Sequence, residues 1–144
     1  MPTRNLRTAS LLAWLRLVRV FQKVNRASTD SLRCRQLTPA QVDVLANVGA
    51  SAGISQQELA DMLLVTKGNV CQLLDKVENN GLLERRPDKR VNRLFLTEQG
   101  RQVYEEVIPH HDALLAEQFQ ALSKSDKREL LRLLRQLDHS LVRA

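Results

Sequence analysis

Between Asn79 and Thr97 the sequence leaves helical spacing for two short strand-like runs, LLERR and VNRLFL, separated by Pro87-Asp88-Lys89-Arg90. Bounded by turn residues, these runs predict a two-stranded hairpin with a charged turn. What precedes them is helical. Ser55, with Glu58 three residues on, has the spacing of a capping box, in which each side chain ties up a free backbone N–H of the first turn. Thr66 is placed to cap a second helix running to Asn79-Asn80-Gly81, where a left-handed residue stops it. Helix, turn, helix and basic hairpin together describe a winged helix-turn-helix over residues 38–97.

Within that unit Leu59, Ala60, Leu63, Val65, Val70 and Leu73 fall where the fold needs buried residues. Ala60 lets the two helices cross closely, and Leu64 stands where such turns often have Gly. At about 100° per residue the second helix buries Val70, Leu73, Leu74 and Val77 and turns Gly68, Gln72, Asp75 and Asn79 outward. Asn69, Cys71 and Lys76 flank that outer face. An apolar stripe opposite an amide-rich face suits insertion into a DNA major groove: Gln and Asn read adenine bidentately, and Lys reads guanine or holds phosphate. Gly68, in the first turn, permits close approach to a backbone. The same pattern also describes an ordinary solvated face. The hairpin favours DNA, because Arg85, Arg86, Lys89, Arg90 and Arg93 surround its turn, where arginines enter a minor groove or hold phosphates. Asp88 reads as a brace for a nearby arginine.

Charge is spread unevenly under a net +6. Residues 1–37 carry eight Lys/Arg against one acid, residues 38–81 two against five, residues 82–101 six against three, and the remainder six against seven. Basic patches at the hairpin and near the N-terminus fit a polyanionic partner or a solvated surface. With 43% apolar but only 3% aromatic residues, the core is that of a mostly helical protein built from Leu, Val and Ala, and 144 residues make one domain. Cys34 and Cys71 fit neither a disulfide scaffold nor a zinc site and suit a reducing cytoplasm. His110 and His111 point about 100° apart on a helix, with His139 distant, so no metal site is expected. No apolar run reaches the ~20 residues of a membrane span. Arg16 and Arg19 interrupt an N-terminal Leu11–Leu15 run that begins like a signal peptide, which keeps it in the fold.

The flanks are amphipathic helices, expected over 5–31 and 98–143. Leu11, Trp14, Val18 and Phe21 form one stripe, widened by Leu17 and Val24, with Leu15 and Val20 outside it. Arg16, Arg19, Lys23 and Arg26 share another face, either solvated or turned to phosphate or an anionic ligand. Thr38-Pro39-Ala40-Gln41 starts a helix carrying Val42, Leu45 and Val48, and Ile54 staples the next helix onto the core. Thr97 starts another with Val103, Tyr104, Val107 and Ile108; Pro109 implies a kink or break before Leu114, Leu115 and Phe119. Ser123 and Asp126 form a second capping box ahead of Leu130, Leu133, Leu134, Leu137 and Leu141. These apolar faces need a partner, and a second copy is the simplest.

At this point the chain resembles the MarR family of bacterial transcription regulators over essentially its whole length. The resemblance rests on Glu58-Leu59-Ala60 and on the helix from Val70 to Val77 followed by Gly81-Leu82. Its most specific part is Asp88-Lys89-Arg90 through Leu96-Thr97-Glu98-Gln99-Gly100, which looks like a D-x-R wing motif with L-T-x-x-G at its expected distance. It implies a mostly α fold (α+β winged helix) with N- and C-terminal dimerisation helices, and no cofactor. It implies a homodimer with Leu11, Trp14, Val18, Leu130, Leu134, Leu137 and Leu141 at the interface. The dimer is expected to repress by binding double-stranded DNA at a pseudo-palindromic operator, half-sites about one helical turn apart. Gln56, Thr66, Lys67, Gly68, Asn69, Cys71, Gln72 and Lys76 are expected at the DNA, together with Arg86, Lys89, Arg90 and Arg93 of the wing. Arg90 enters the minor groove, braced by Asp88. A small anionic or phenolic effector is implied between dimerisation helices and winged unit, bordered by Trp14, Val18 and His110. Action at the nucleoid in the cytoplasm follows.

Two other readings stay open. Cys71 lies one turn after Lys67 near a helix N-terminus, where cation and dipole lower a thiol pKa, so the regulator is a redox sensor or Cys71 is a small, partly buried thiol. Cys34, between Arg33 and Arg35, reads as a loop thiol. Alternatively the winged helix serves protein–protein contacts, which would not need five wing cations. No nucleophile–base arrangement, phosphate loop or carboxylate pair suggests an enzyme.

Overall fold

The computed structural model describes residues 2–63 and 67–141; Leu64, Val65 and Thr66, and with them the expected second-helix cap and the burial of Val65, lie outside the described residues. The order is α1 (Pro2–Leu32), a 3-10 turn (Arg33–Arg35), α2 (Pro39–Ala50), α3 (Gln56–Met62), α4 (Lys67–Asn79), β1 (Leu83–Asp88), β2 (Val91–Leu96), α5 (Glu98–Gln118) and α6 (Lys124–Ser140). This is the expected mostly helical fold with a two-stranded antiparallel sheet.

The core lies where α2, α3, α4 and β2 meet. Leu45, Leu59, Leu74 and Leu94 are its largest fully buried side chains, and Val42, Val44, Val48, Val70 and Val77 fill the space between them. α2 begins at a complete capping box: the Gln41 N–H donates to Thr38 Oγ1 at 3.2 Å and the Thr38 N–H to Gln41 Oε1 at 3.1 Å. Two other expected boxes are half formed among the described residues. The Ser55 hydroxyl accepts from the Glu58 N–H at 3.0 Å and the Ser123 hydroxyl from the Asp126 N–H at 3.1 Å, without the return bond from the cap's own N–H to the acidic side chain. Both acids are exposed, where water competes for the carboxylate.

The hairpin is joined to the helices by backbone. The Gly53 N–H donates to the Leu94 carbonyl at 2.9 Å, and the Leu94 N–H donates to the Ile54 carbonyl at 2.9 Å. The loop between α2 and α3 thus covers one edge of the hairpin. The turn is tighter than Pro87-Asp88-Lys89-Arg90 suggests. Asp88 pairs with Val91, so Pro87 and Asp88 belong to β1 and only Lys89 and Arg90 turn the chain, Lys89 at φ 60°.

The junction from β2 to α5 is equally fixed. Thr97 caps α5 by accepting from the Gly100 N–H at 2.9 Å, and its hydroxyl donates to the Gly81 carbonyl. Gly81 takes φ 77° to stop α4. Gly100 is required by contact: a Cβ there would stand 1.9 Å from the Leu82 carbonyl oxygen. α5 continues through Pro109 without a break. Proline removes one helical hydrogen bond, and here both Pro109 and Glu105, whose carbonyl is freed, are exposed to water.

The outer helices are covered only in part. α1 packs near its C-terminal end, burying Ser28 and Leu32, with the Ser28 hydroxyl 2.8 Å from His111 Nε2 of α5. Before that end, the described side chains from Thr8 to Phe21 are mostly exposed, Trp14 to 62% and Phe21 to 63%. α6 buries no residue at all.

Two glycine substitutions separate contact from propensity. Gly100→Ala should lower unfolding free energy by about 1–3 kcal/mol, as overpacking against a fixed carbonyl does. Gly68→Ala, with open space around the new methyl group, should raise it by about 0.5 kcal/mol through reduced chain entropy. Urea denaturation of both variants checks the pair, and a Gly100→Ala protein as stable as the parent would refute the close junction.

Candidate nucleic-acid interface

α4 turns its faces as the period demands. Val70, Leu74 and Val77 are buried and Leu73 is half-buried, while Gly68, Asn69, Cys71, Gln72, Asp75, Lys76 and Asn79 are exposed. Cys71 is therefore an exposed thiol, not a partly buried one, as is Cys34 in the 3-10 turn. Thr66 and the side chain of Lys67 lie outside the described residues. Gly68 faces open space and nothing in its own chain approaches it. Gln56, at the start of α3, is half-buried and bound to α4: its Nε2 donates to Cys71 Sγ at 3.5 Å, and its Oε1 is buried without a hydrogen-bond partner.

Strand register sorts the wing arginines. Residues directly opposite in an antiparallel pair share a face. Glu84, Arg86, Asp88, Val91, Arg93 and Phe95 therefore lie on one face, and Leu83, Arg85, Leu94 and Leu96 on the other, which packs on the helices. On the outer face Arg93 is diagonal to Asp88. Its Nε donates to Asp88 Oδ2 at 2.8 Å and its Nη1 to the Gly53 carbonyl at 3.0 Å. The hydrogen bond to Asp88 holds the Arg93 guanidinium above the ordinary arginine range, against the opposing effect of desolvation. Asp88 therefore braces Arg93 and not Arg90, which lies beyond the last strand pair and cannot share that face. Arg86 is held by Glu84, at 3.1 and 3.3 Å, and stacks over the Phe95 ring at 4.1 Å. Arg85, on the inner face, donates to Asp75 of α4 at 2.6 Å.

Three of the five wing cations are thus paired with carboxylates of their own chain. Lys89 and Arg90, at the tip, are exposed and have no ion-pair partner among the described residues. The tip does not stand apart. Arg90, Val91 and Asn92 line one side of an open cleft of about 360 Å³, with Gln56, Gln57 and Ala60 of α3 and Val70 and Cys71 of α4 on the other. Wing, first helix and second helix meet there. Gln57 and Asn92 were not among the sequence candidates; Gln57 had no signal beyond its place beside Gln56.

The cavity in the region where an effector is expected has a different lining from the expected one. A cavity of about 610 Å³ lies between the end of α1 and α5, lined by Ser31, Leu32, Arg35, His110, His111 and Glu117 among others. His110 borders it, but Trp14 and Val18 do not. Ser28 already marks where α1 meets α5, and Trp14 is fourteen residues before it, about 21 Å along a helix. Of the expected interface residues, Leu11, Trp14, Leu134, Leu137 and Leu141 are exposed, and Val18 and Leu130 half-buried. No group of three or more His, Cys, Asp or Glu among the described residues is placed to hold a metal ion. No described helix is long and apolar enough to cross a membrane.

Comparison with known proteins agrees with this geometry. Residues 35–93 match the model of the MarR family. An uncharacterized HTH-type transcriptional regulator of Bacillus cereus is 32% identical over 124 residues, covering 86% of this chain and 84% of its own. The HTH-type transcriptional repressor MdtR of Bacillus subtilis (strain 168) is 30% identical over 115 residues, covering 78% of this chain and 74% of its own. The crystal structure of a mutant MarR from E. coli complexed with operator DNA superposes with a TM-score of 0.78 at 28% identity, covering 89% of this chain and 95% of that one. These relatives are regulators and not enzymes. The chain belongs to the MarR family of DNA-binding, winged helix-turn-helix transcription regulators.

Proposed function

We propose that this regulator is a repressor that binds a pseudo-palindromic operator as a homodimer and is released by a small anionic or phenolic ligand. The observation that carries the DNA-contact assignment is the unpaired tip of the wing. Arg85, Arg86 and Arg93 are committed to carboxylates, whereas Lys89 and Arg90 remain available beside the exposed polar face of α4. In this reading Asn69, Gln72 and Lys76 of α4, with Gly68 and Cys71 beside them, enter the major groove, while Arg90 enters the adjacent minor groove. Gln56 and Lys89 lie at its margins, and Arg93 and Asp88 set the wing's posture.

A second copy is supported by where the uncovered apolar surface lies. Thirteen large hydrophobic side chains are exposed among the described residues. Six are on α1 (Leu11, Leu12, Trp14, Leu15, Val20, Phe21) and five on α6 and its C-cap (Leu131, Leu133, Leu134, Leu137, Leu141), leaving two elsewhere. Apolar surface concentrated on two helices is what a second copy would cover. Two chains joined through α1 and α6 would present two winged units to successive turns of one duplex. For the effector, the cavity between α1 and α5 has the size of a small-molecule site, and His110 and His111 give it hydrogen-bonding groups beside Arg35, which is paired with Glu106 at 2.7 Å. Repression is the role that MdtR carries in its name, and the reading sets the protein to work at the nucleoid of the cytoplasm.

The DNA assignment is tested by recovering and sequencing the genomic fragments that the protein binds, then titrating variants against the recovered site. Arg90→Ala should cost about 1–3 kcal/mol and flatten the dependence of log affinity on log salt by about 0.9, one phosphate or groove cation lost. Gln72→Ala should change which base is preferred more than it changes affinity for random DNA. Arg93→Ala should flatten the salt slope less than Arg90→Ala does, because Arg93 is bonded to Asp88, and what it costs should come from the carboxylate left uncovered. A flat salt response in the parent protein would point instead to protein–protein contacts.

The dimer is tested by sedimentation, where the species should have about twice the 16.4 kDa chain mass. Trp14→Asp combined with Leu137→Asp should give a monomer with weakened operator binding. A parent chain that sediments as a monomer would remove the two-site operator model.

A further inference from the structure

We propose that Arg85 is a positioning residue for DNA recognition, covering the carboxylates of Asp75 and Glu78 so that α4 can approach a phosphate backbone. The proposal rests on the reading of the outer face of α4 as the DNA-contact surface. On that face Asp75 stands between Gln72 and Asn79, and its side chain is 58% exposed. A bare carboxylate there would meet the phosphates as a like charge. Glu78, three residues on, adds a second.

Arg85 is built to answer both. It shares the inner face of β1 with Leu83, so its side chain runs along the surface of α4 and is only 22% exposed. Its Nη2 lies 2.6 Å from Asp75 Oδ1, and its buried Nε, which has no hydrogen bond, lies 3.9 Å from Glu78 Oε2. One guanidinium therefore sits between two acids of the reading helix. An exposed pair of this kind adds little to fold stability, whereas its effect on the potential seen by an incoming polyanion is direct. Because the contact joins α4 to β1, it also sets how the helix and the wing are presented together. Arg85 is mostly covered and paired with an acid of α4, whereas Arg90 is exposed, which separates the two roles.

The test is a double-mutant comparison, using the highest-affinity duplex that the parent protein selects from a random-sequence pool, with binding followed by fluorescence anisotropy. Arg85→Met, which keeps the aliphatic stem, should weaken binding roughly tenfold. Asp75→Asn with Glu78→Gln should bind about as well as the parent, and adding Arg85→Met to that pair should cost nothing further. Thermal melts accompany each variant, and Arg85→Gln replaces Arg85→Met in the comparison if the latter loses its cooperative transition. Equal weakening by the Arg85 substitution in both backgrounds would overturn the proposal, since Arg85 would then touch DNA or serve only the fold. So would an altered base preference in the Asp75→Asn and Glu78→Gln protein, which would make an acid the reading group. Gln72→Ala is measured alongside. If it changes neither affinity nor preference, the assignment of the α4 face itself fails, and the proposal with it, an outcome distinct from the first two.

Discussion

The two hydrogen bonds made by the backbone of Leu94 hold the reading head together. A two-stranded hairpin is at best marginally stable in water, and here it would have to keep a row of cations side by side. Leu94 receives the Gly53 N–H and donates to the Ile54 carbonyl, so that β2 gains a partner on its free edge. Its side chain is fully buried among α2, α3 and α4. Arg93 repeats the attachment from the next residue, through its bond to the Gly53 carbonyl. Everything beyond that line inherits its position from it: the wing tip stands beside α3 and α4 because the strand behind it is pinned to the loop that starts α3.

Much of this fold was legible in the sequence because its signals are local. Thr38, Ser55, Thr97 and Ser123 cap the helices they were expected to cap, and Gly81 ends α4 in the left-handed conformation that only a residue without a Cβ takes readily. The inner stripe of α4 followed from period alone. Of the kink or break that Pro109 implies, the break does not occur, because a proline whose freed carbonyl faces water interrupts one hydrogen bond and need not end a helix. The return bonds at Ser55 and Ser123 misled for a similar reason, since an exposed carboxylate has water as an equal partner.

The site was less legible, and the reason is register. Asp88 and Arg90 are close in sequence, and a brace between them is the natural reading of a D-x-R run. Only the pairing of Asp88 with Val91 reveals that Arg90 turns the corner while Arg93 returns to the face of Asp88. Arg85 reads in the sequence as one more wing cation, because two apolar residues in a row, Leu82 and Leu83, leave the phase of the alternation open; burial of Leu83 puts it on the inner face, away from Arg86. The cavity could not be assigned for a different reason. It depends on how far along α1 the contact with α5 falls, and no local pattern encodes an antiparallel offset between helices that are far apart in sequence.

These placements change how the charge of the wing should be counted. Five cations in the sequence suggest a strongly attractive hairpin, but counterion release depends on phosphates newly neutralised, not on cations present. A guanidinium already bonded to a carboxylate of its own chain brings little net charge to the duplex. Arg86 and Arg93 spend theirs on Glu84 and Asp88, and Arg85 on Asp75. The acids of the winged unit are thus part of the same design as its arginines. Within the hairpin, and among the described residues, they confine unpaired charge to Lys89 and Arg90, where the backbone reverses and the side chains can project furthest. A wing with its charge concentrated at the tip interacts most strongly with a groove that admits the tip, whereas one with all five cations free would attract any phosphate surface. Pairing therefore trades general attraction for dependence on groove shape, the property a sequence-reading protein needs from an element that touches few bases.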